Sequence, residues 1–171
     1  MINYDLTRIK ALVFDVDGVL STSLVTLHGG QPIRTSNTKD GYALQLAAKN
    51  GLLLAIITGG KNEAIRERYM NLGFSDIFMG VSRKIEVFED WLIANQLIAE
   101  EVLYMGDDIP DYEIMEKCGC ACCPADAAPE IKEVSHYISH YNGGEGCVRD
   151  VVEQVLRAQG AWMKTATAFG W

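Results

Sequence analysis

The 171-residue chain lacks the features that would mark a membrane or secreted protein. No apolar run is long enough to cross a bilayer, and residues 1–10 lack the apolar stretch of a signal peptide. Its five cysteines are an odd number, which argues against a framework of paired disulfides. We therefore expect a cytoplasmic protein with no membrane partner.

Positive charge is also scarce, because 15 lysines and arginines stand against 23 aspartates and glutamates, giving a net charge of −8. Nucleic acids and anionic membranes bind to basic surfaces, so we expect neither as a partner. An anionic small molecule stays compatible with this composition, because a metal ion or a few cations can reverse the sign of the charge within a site.

Linkers, repeats and low-complexity stretches are absent, which predicts a single domain over residues 1–171. Short apolar runs, typical of strands buried on both faces, alternate with helical patterns. The apolar runs lie at 11–14, 52–57, 77–79, 102–105, 120–123 and 137–138. The helical patterns lie at 42–49, 63–72, 85–95, 111–117, 130–134 and 145–159. This order predicts an α/β fold, a doubly wound parallel sheet between two layers of helices.

Two segments fall outside this alternation. Residues 24–35 flank Gly29 and Gly30, a pair that favours a tight turn, and predict a β-hairpin projecting from the sheet. Residues 160–171 form a C-terminal tail with few structural signals, and it contains Phe169 and Trp171.

Polar residues stand where the predicted strands end. Asp15 and Asp17 follow the first strand, Thr58 follows the second, Lys84 begins a helix, and Asp107 and Asp108 follow the strand at 102–105. Because the carboxyl ends of parallel strands share one edge of the sheet, we expect these side chains to converge. Four carboxylates in one crevice need a counter-charge, and oxygen ligands favour Mg²⁺. A hydroxyl and a lysine beside that ion suit phosphoryl transfer.

The order Asp15-x-Asp17-Gly18, Thr58, Lys84 and Gly106-Asp107-Asp108 resembles the four motifs of the haloacid dehalogenase superfamily. The resemblance covers residue 9 to about residue 125. It implies a phosphatase fold of the Rossmann-like type and a mechanism that passes through an aspartyl-phosphate.

The same resemblance implies a role for each matched position. Asp15 would be the nucleophile, and Asp17 would protonate the leaving oxygen and then activate water. Thr58 and Lys84 would hold the phosphoryl oxygens. Asp107 would bind Mg²⁺ together with the Asp15 carboxylate and the Asp17 backbone carbonyl.

Three further positions have supporting roles in this interpretation. Gly59 would contact the substrate beside Thr58. Asp108 would orient water near the metal. Asp111 would either hydrogen-bond these groups or stabilise the start of the following helix.

The intervals between the motifs leave room for a hairpin and single helices only, so we expect no cap domain. The chain is similar to the capless phosphatases of 3-deoxy-D-manno-octulosonate 8-phosphate (KDO 8-phosphate), on the stretches 38–41, 106–111, 124–127 and 143–146. That similarity implies Mg²⁺, a sugar-acid phosphate as substrate and a role in lipopolysaccharide precursor synthesis. It also implies a homotetramer whose hairpins form a barrel and whose neighbouring subunits close each site.

The chain departs from this group at Gly60, where many members carry an arginine that meets the substrate carboxylate. We predict that Lys61 supplies the missing cation, with Arg66 and Arg68 as alternatives. The departure also keeps open a phosphatase of the nine-carbon acid 2-keto-3-deoxynononate 9-phosphate, or a broader sugar phosphatase.

Other interpretations of the motifs are structural or belong to other classes. The Asp-x-Asp-Gly segment could be an ordinary turn, Thr58 or the Asp107–Asp108 pair could cap a helix, and Lys84 could be a solvated charge. Cys120-x-x-Cys123 has half of a zinc ligand set, but strand alternation sends the two cysteines to opposite faces. A phosphate-accepting receiver domain places its acceptor aspartate after the third strand, whereas here the first strand carries it.

Overall fold

The computed structural model describes residues 1–164 and 166–170. The strands in this part are β1 (Ala11–Phe14), β2 (Thr26–His28), β3 (Gln31–Ile33), β4 (Leu53–Thr58), β5 (Asp76–Met79), β6 (Val102–Met105), β7 (Cys120–Cys123) and β8 (Tyr137–Ile138). The helices are α1 (Thr38–Lys49), α2 (Glu63–Met70), α3 (Lys84–Ala94), α4 (Tyr112–Lys117), α5 (Pro129–Val134) and α6 (Cys147–Ala158). Trp171, the last residue of the predicted tail, lies outside the described residues.

Six strands form one parallel sheet in the order β5-β4-β1-β6-β7-β8. Along the chain, β4 and β5 are added on one side of β1, and β6, β7 and β8 are then added on the other side. The two halves therefore meet beside β1, which is where open α/β sheets bind their ligands. The predicted doubly wound fold is confirmed.

The two faces of the sheet bury separate apolar cores. Along β1, Leu12 and Phe14 face one core, whereas Ala11 and Val13 face the other. Helices α1, α2 and α6 cover the first core, and α3, α4 and α5 cover the second. A strand buried on both faces needs an unbroken apolar run, which explains the short hydrophobic segments of the sequence.

The predicted hairpin is present as β2 and β3, which pair antiparallel around Gly29 and Gly30. Both glycines have positive φ, +57° and +77°, as a two-residue hairpin turn requires. Leu24 and Leu27 on this arm are exposed. Within the described residues the segment between β1 and β4 holds only the hairpin and α1, so the prediction of a fold without a cap domain is confirmed.

The described part of the C-terminal tail folds back onto α1. The Tyr42 hydroxyl donates to the carbonyl of Ala168, and Ala168 is buried. None of the helices among residues 1–164 and 166–170 is long and apolar enough to span a membrane.

Candidate active site

A crevice at the carboxyl edge of the sheet brings most of the predicted residues together. The predicted residues that line it are Asp15, Asp17, Thr58, Gly59, Lys84, Asp107, Asp108 and Asp111. They come from the ends of β1, β4 and β6 and from the start of α3. The convergence expected from the parallel topology is therefore present.

Asp15 and Lys84 form a buried ion pair at the base of this crevice. The Lys84 Nζ lies 2.9 Å from Asp15 Oδ1 and 2.7 Å from Asp111 Oδ1. Burial opposes the charge on Lys84, but the two carboxylates outweigh it and hold its pKa above the ordinary value. The ammonium is thus a fixed cation next to the predicted nucleophile.

Asp111 is the organising group of the crevice, a larger role than the sequence indicated. Besides Lys84, the Tyr104 hydroxyl donates to its Oδ1 at 2.5 Å. The backbone N–H groups of Asp107 and Asp108 approach its Oδ2 at 3.2 and 3.5 Å. Because Gly106 lacks a side chain, Asp111 can pack against the strand end; a Cβ there would lie 2.4 Å from that of Asp111.

Asp107 faces Asp15 across the crevice, held close to the backbone after β1. A Cβ at Gly18 would lie 1.9 Å from Asp107 Oδ2, and Gly18 has φ +85°, so only glycine fits. Burial, followed by repulsion from Asp15 and Asp111, raises the pKa of Asp107 to about 8. Burial and the charge of Asp111 likewise raise the pKa of Asp15, although Lys84 opposes them.

These raised pKa values indicate that the cluster lacks positive charge. Oxygens of Asp15, Asp107 and Asp111 lie within 4.8 Å of one another, a spacing that could hold a metal ion. Carboxylate oxygens without nitrogen or sulfur ligands suit a hard divalent cation. The donor set and the unbalanced charge therefore fit the predicted Mg²⁺.

Thr58 closes the crevice on the side of β4. Its side chain is buried, and its Oγ1 accepts a hydrogen bond from the Gly60 N–H at 3.2 Å. The hydroxyl proton remains available to donate into the crevice. Gly59 lies beside it with an open backbone, since a Cβ there would meet only a carbonyl 3.6 Å away.

Lys61 does not line this crevice. It borders a separate cavity with Arg66 and Gln31, and its aliphatic chain covers Gly80. Arg66 donates to the Ile77 carbonyl at 3.1 Å, and Arg68 approaches Ser36 Oγ at 3.4 Å. The structure therefore puts Lys61 beside the site rather than in it.

The cation nearest to the predicted acid is Arg34, which the sequence analysis did not identify. Its guanidinium binds the Asp17 carboxylate through Nε at 2.6 Å and Nη2 at 2.8 Å. Arg34 follows β3, so it reaches the crevice from the hairpin. An arginine at the base of a hairpin belongs to no sequence motif. The one signal for Arg34 is its position directly after a hairpin strand, β3, that leads toward the site.

Two other features of the sequence have structural roles. All five cysteines are buried and unpaired, and Cys120 and Cys123 face opposite cores as predicted. A cavity between α1 and α6, slightly larger than the crevice, is lined by charges that pair with each other, such as Arg149 with Glu153 at 2.9 Å. The carboxylate crevice is accordingly the candidate active site.

Comparison with known proteins places this geometry among phosphatases. The family model for haloacid dehalogenase-like hydrolases matches residues 76–150. The KDO 8-phosphate phosphatase KdsC of Salmonella typhi is 38% identical over 154 residues, which cover 90% of this chain and 82% of the relative.

Two solved structures have the same fold. KDO 8-phosphate phosphatase from Yersinia pestis superimposes with a TM-score of 0.88 at 32% identity, covering 92% of this chain and 85% of that one. The enzyme from Moraxella catarrhalis, in complex with magnesium, phosphate and KDO, gives a TM-score of 0.88 at 30% identity, covering 91% and 90%.

Proposed function

The chain belongs to the haloacid dehalogenase-like hydrolase family, and on that premise we propose that it hydrolyses KDO 8-phosphate to KDO and inorganic phosphate. The observation that carries the proposal is the crevice in which Asp15, held by Lys84, faces Asp107 at the switch point of the sheet. The similarity to KDO 8-phosphate phosphatases over nine-tenths of the chain supports the substrate.

In the proposed reaction Asp15 is the nucleophile, and Asp17 is the general acid and then the general base. A carboxylate oxygen of Asp15 attacks phosphorus, forming an aspartyl-phosphate as the bond to the sugar oxygen breaks. Asp17 gives its proton to that leaving oxygen. It then takes a proton from the water that attacks the phosphorus, which restores Asp15 and releases phosphate.

The remaining crevice residues bind and orient the phosphoryl group. Lys84 neutralises one oxygen and the Thr58 hydroxyl donates to another, with the Gly59 backbone alongside. Asp15, Asp107 and the backbone carbonyl of Asp17 would hold Mg²⁺. When bound, the ion supplies charge neutralisation for the carboxylates and the phosphate.

The absence of a cap leaves the crevice open, and we propose that a homotetramer completes it. Leu24, Leu27 and Ile33 are 85%, 79% and 50% exposed on the hairpin, an apolar surface that suits contact with copies of the same chain. We further propose that the enzyme acts in the cytoplasm, in the synthesis of lipopolysaccharide precursors. The net charge of −8 supports a small-molecule substrate without nucleic-acid or membrane partners.

The test is phosphate release from KDO 8-phosphate and from 2-keto-3-deoxynononate 9-phosphate, each with Mg²⁺ or EDTA. Asp15→Asn serves as the matched control, because it keeps the shape of the side chain and removes the nucleophile. We expect Mg²⁺-dependent turnover with a preference for the eight-carbon substrate. A preference for the nine-carbon acid would change the substrate assignment but keep the mechanism. Activity retained by Asp15→Asn would refute the mechanism.

A further inference from the structure

The ion pair between Arg34 and Asp17 has the geometry of a fixed clamp. Two parallel hydrogen bonds, 2.6 and 2.8 Å long, join the guanidinium to both carboxylate oxygens. Such a bidentate contact fixes the plane of the carboxylate as well as its distance. The Arg34 side chain is only 8% exposed, whereas that of Asp17 is 33% exposed. The arginine is therefore the anchored member of the pair, and the carboxylate is the member that solvent reaches.

Gly60 provides the space in which this clamp fits. A Cβ at position 60 would lie 3.0 Å from Arg34 Nη2 and 3.4 Å from Asp17 Oδ2. A larger side chain would extend into the volume that the guanidinium fills. The missing side chain at Gly60 and the presence of Arg34 are thus two parts of one arrangement.

The base of the hairpin is itself tied to the site, which keeps Arg34 in register. Asn62 Nδ2 donates to the Pro32 carbonyl at 3.1 Å, while its Oδ1 accepts from the Ile65 N–H and caps α2. The segment before Arg34 is therefore attached to the loop that follows Thr58. This attachment holds Arg34 in place relative to the crevice, although Arg34 comes from a projecting hairpin.

We propose that Arg34 is a positioning residue that holds the Asp17 carboxylate at the crevice for proton transfer to and from the leaving oxygen and water. The inference rests on the proposed function, because it assigns to Asp17 the acid–base role given above. Without the clamp, the partly exposed Asp17 side chain would reach other rotamers, and a smaller fraction of enzyme would present it correctly. Each carboxylate oxygen of Asp17 has a second lone pair, so Asp17 can exchange a proton while it stays hydrogen-bonded to Arg34.

The test compares two phosphate esters that differ in how much they need an acid. KDO 8-phosphate has an alkoxide leaving group that must be protonated, whereas p-nitrophenyl phosphate releases a stable phenolate. In Arg34→Gln we expect kcat for KDO 8-phosphate to fall about 10- to 100-fold, within the usual range for acid–base catalysis. KM should stay within about twofold. Because water attack on the aspartyl-phosphate needs Asp17 with either ester, the first step is compared in single turnover: release of KDO should slow about 10- to 100-fold, and release of p-nitrophenolate by less than about threefold.

Further variants separate positioning from folding. Arg34→Lys keeps the charge but offers no bidentate fork, so it should retain an intermediate kcat. Gly60→Ala should have a smaller effect of the same kind, because its methyl group presses on the guanidinium. In an Asp17→Asn background, Arg34→Gln should add no further loss. The control is Arg157→Gln, which removes an arginine paired with Glu153 on α6, away from the crevice.

The outcomes distinguish this inference from the proposed function. Equal slowing of the first step with both esters in single turnover, or a further loss in the Asp17→Asn background, would overturn the positioning role of Arg34. A raised KM for KDO 8-phosphate with unchanged kcat would put Arg34 against the substrate carboxylate instead. Failure of the wild-type protein to release phosphate from any ester would overturn the proposed function first, and this role with it.

Discussion

Removal of Mg²⁺ should make the stability of this protein fall as the pH rises through neutrality. The cause is the raised pKa of Asp107, which burial and neighbouring carboxylates move from 3.8 to about 8. A carboxyl group with a raised folded-state pKa binds its proton more tightly in the folded protein than in the unfolded chain. Its stability contribution is therefore complete below about pH 4 and is lost as the pH approaches 8.

The size of the effect follows from that pKa difference. A change from 3.8 to about 8 corresponds to an upper bound of about 6 kcal/mol at about 1.4 kcal/mol per pH unit. Asp107 is only partly buried, so solvent screening reduces the expected loss to about 2–3 kcal/mol. For a chain of this length, such a loss lowers the melting temperature by roughly 4–12 °C.

Urea unfolding in EDTA at several pH values between about 5 and 8, repeated with Mg²⁺, measures this effect. Mg²⁺ at about 100 times its dissociation constant should restore roughly 2.7 kcal/mol. At one fixed Mg²⁺ concentration the gain should be larger at high pH, where protons compete less for the carboxylates. Asp107→Asn should be more stable than the wild type in EDTA at pH 8 and should lose the response to Mg²⁺. Asp90→Asn is the matched control, because Asp90 is exposed on α3 and is not among the groups that raise the pKa of Asp107. A flat pH profile in EDTA, or an Asp107→Asn variant less stable than the wild type there, would refute the reasoning.

Three further predictions concern single positions. Gly18→Ala should weaken Mg²⁺ binding, measured by calorimetry, because its Cβ would collide with Asp107 and its φ is +85°; unchanged affinity would contradict the close approach. Lys84→Met should cost about 3–5 kcal/mol of folding free energy in denaturant titrations, because it leaves Asp15 and Asp111 without a buried counter-charge; a loss near zero would contradict that stabilising role of Lys84. Leu27→Asp on the exposed hairpin should reduce the assembled mass in light scattering if hairpins form the subunit contact, and an unchanged mass would move that contact elsewhere.

The strands could be predicted from the sequence because the parallel sheet is buried on both faces. Only an unbroken apolar run such as 102–105 satisfies two cores at once, and that run coincides with β6. Helix starts were harder to predict. Helix α1 begins at Thr38 rather than Tyr42, because the side chain of Asn37 caps it and accepts from the Lys39 N–H at 2.9 Å. The first turn is polar, and apolar periodicity does not detect it.

The residues of the site also include some that the sequence could predict and some that it could not. Residues at strand ends, such as Asp15 and Asp107, could be placed together because topology fixes where parallel strands end. The position of Arg34 beside Asp17 could not be predicted, because it depends on how the hairpin packs against the loop that follows β4. The sequence suggested Lys61 as the nearest cation after Gly60, but chain proximity is a poor guide in a loop. The guanidinium of Arg34, which lies 26 positions earlier in the chain, occupies the space that a side chain at Gly60 would need.

A count of charges explains why the crevice needs one divalent ion and why Arg34 matters to it. Three clustered carboxylates and one ammonium, that of Lys84, leave two negative charges when all are ionised. One Mg²⁺ balances these three carboxylates and Lys84, so the cluster itself then carries no net charge; the exposed Asp108 at the edge of the crevice is not part of it. Asp17 would add a third uncompensated charge, but Arg34 balances it separately. The carboxylate of Asp17, the proposed acid–base group, is therefore balanced independently of the three clustered carboxylates, and Arg34→Gln should leave Mg²⁺-induced stabilisation unchanged while it lowers turnover.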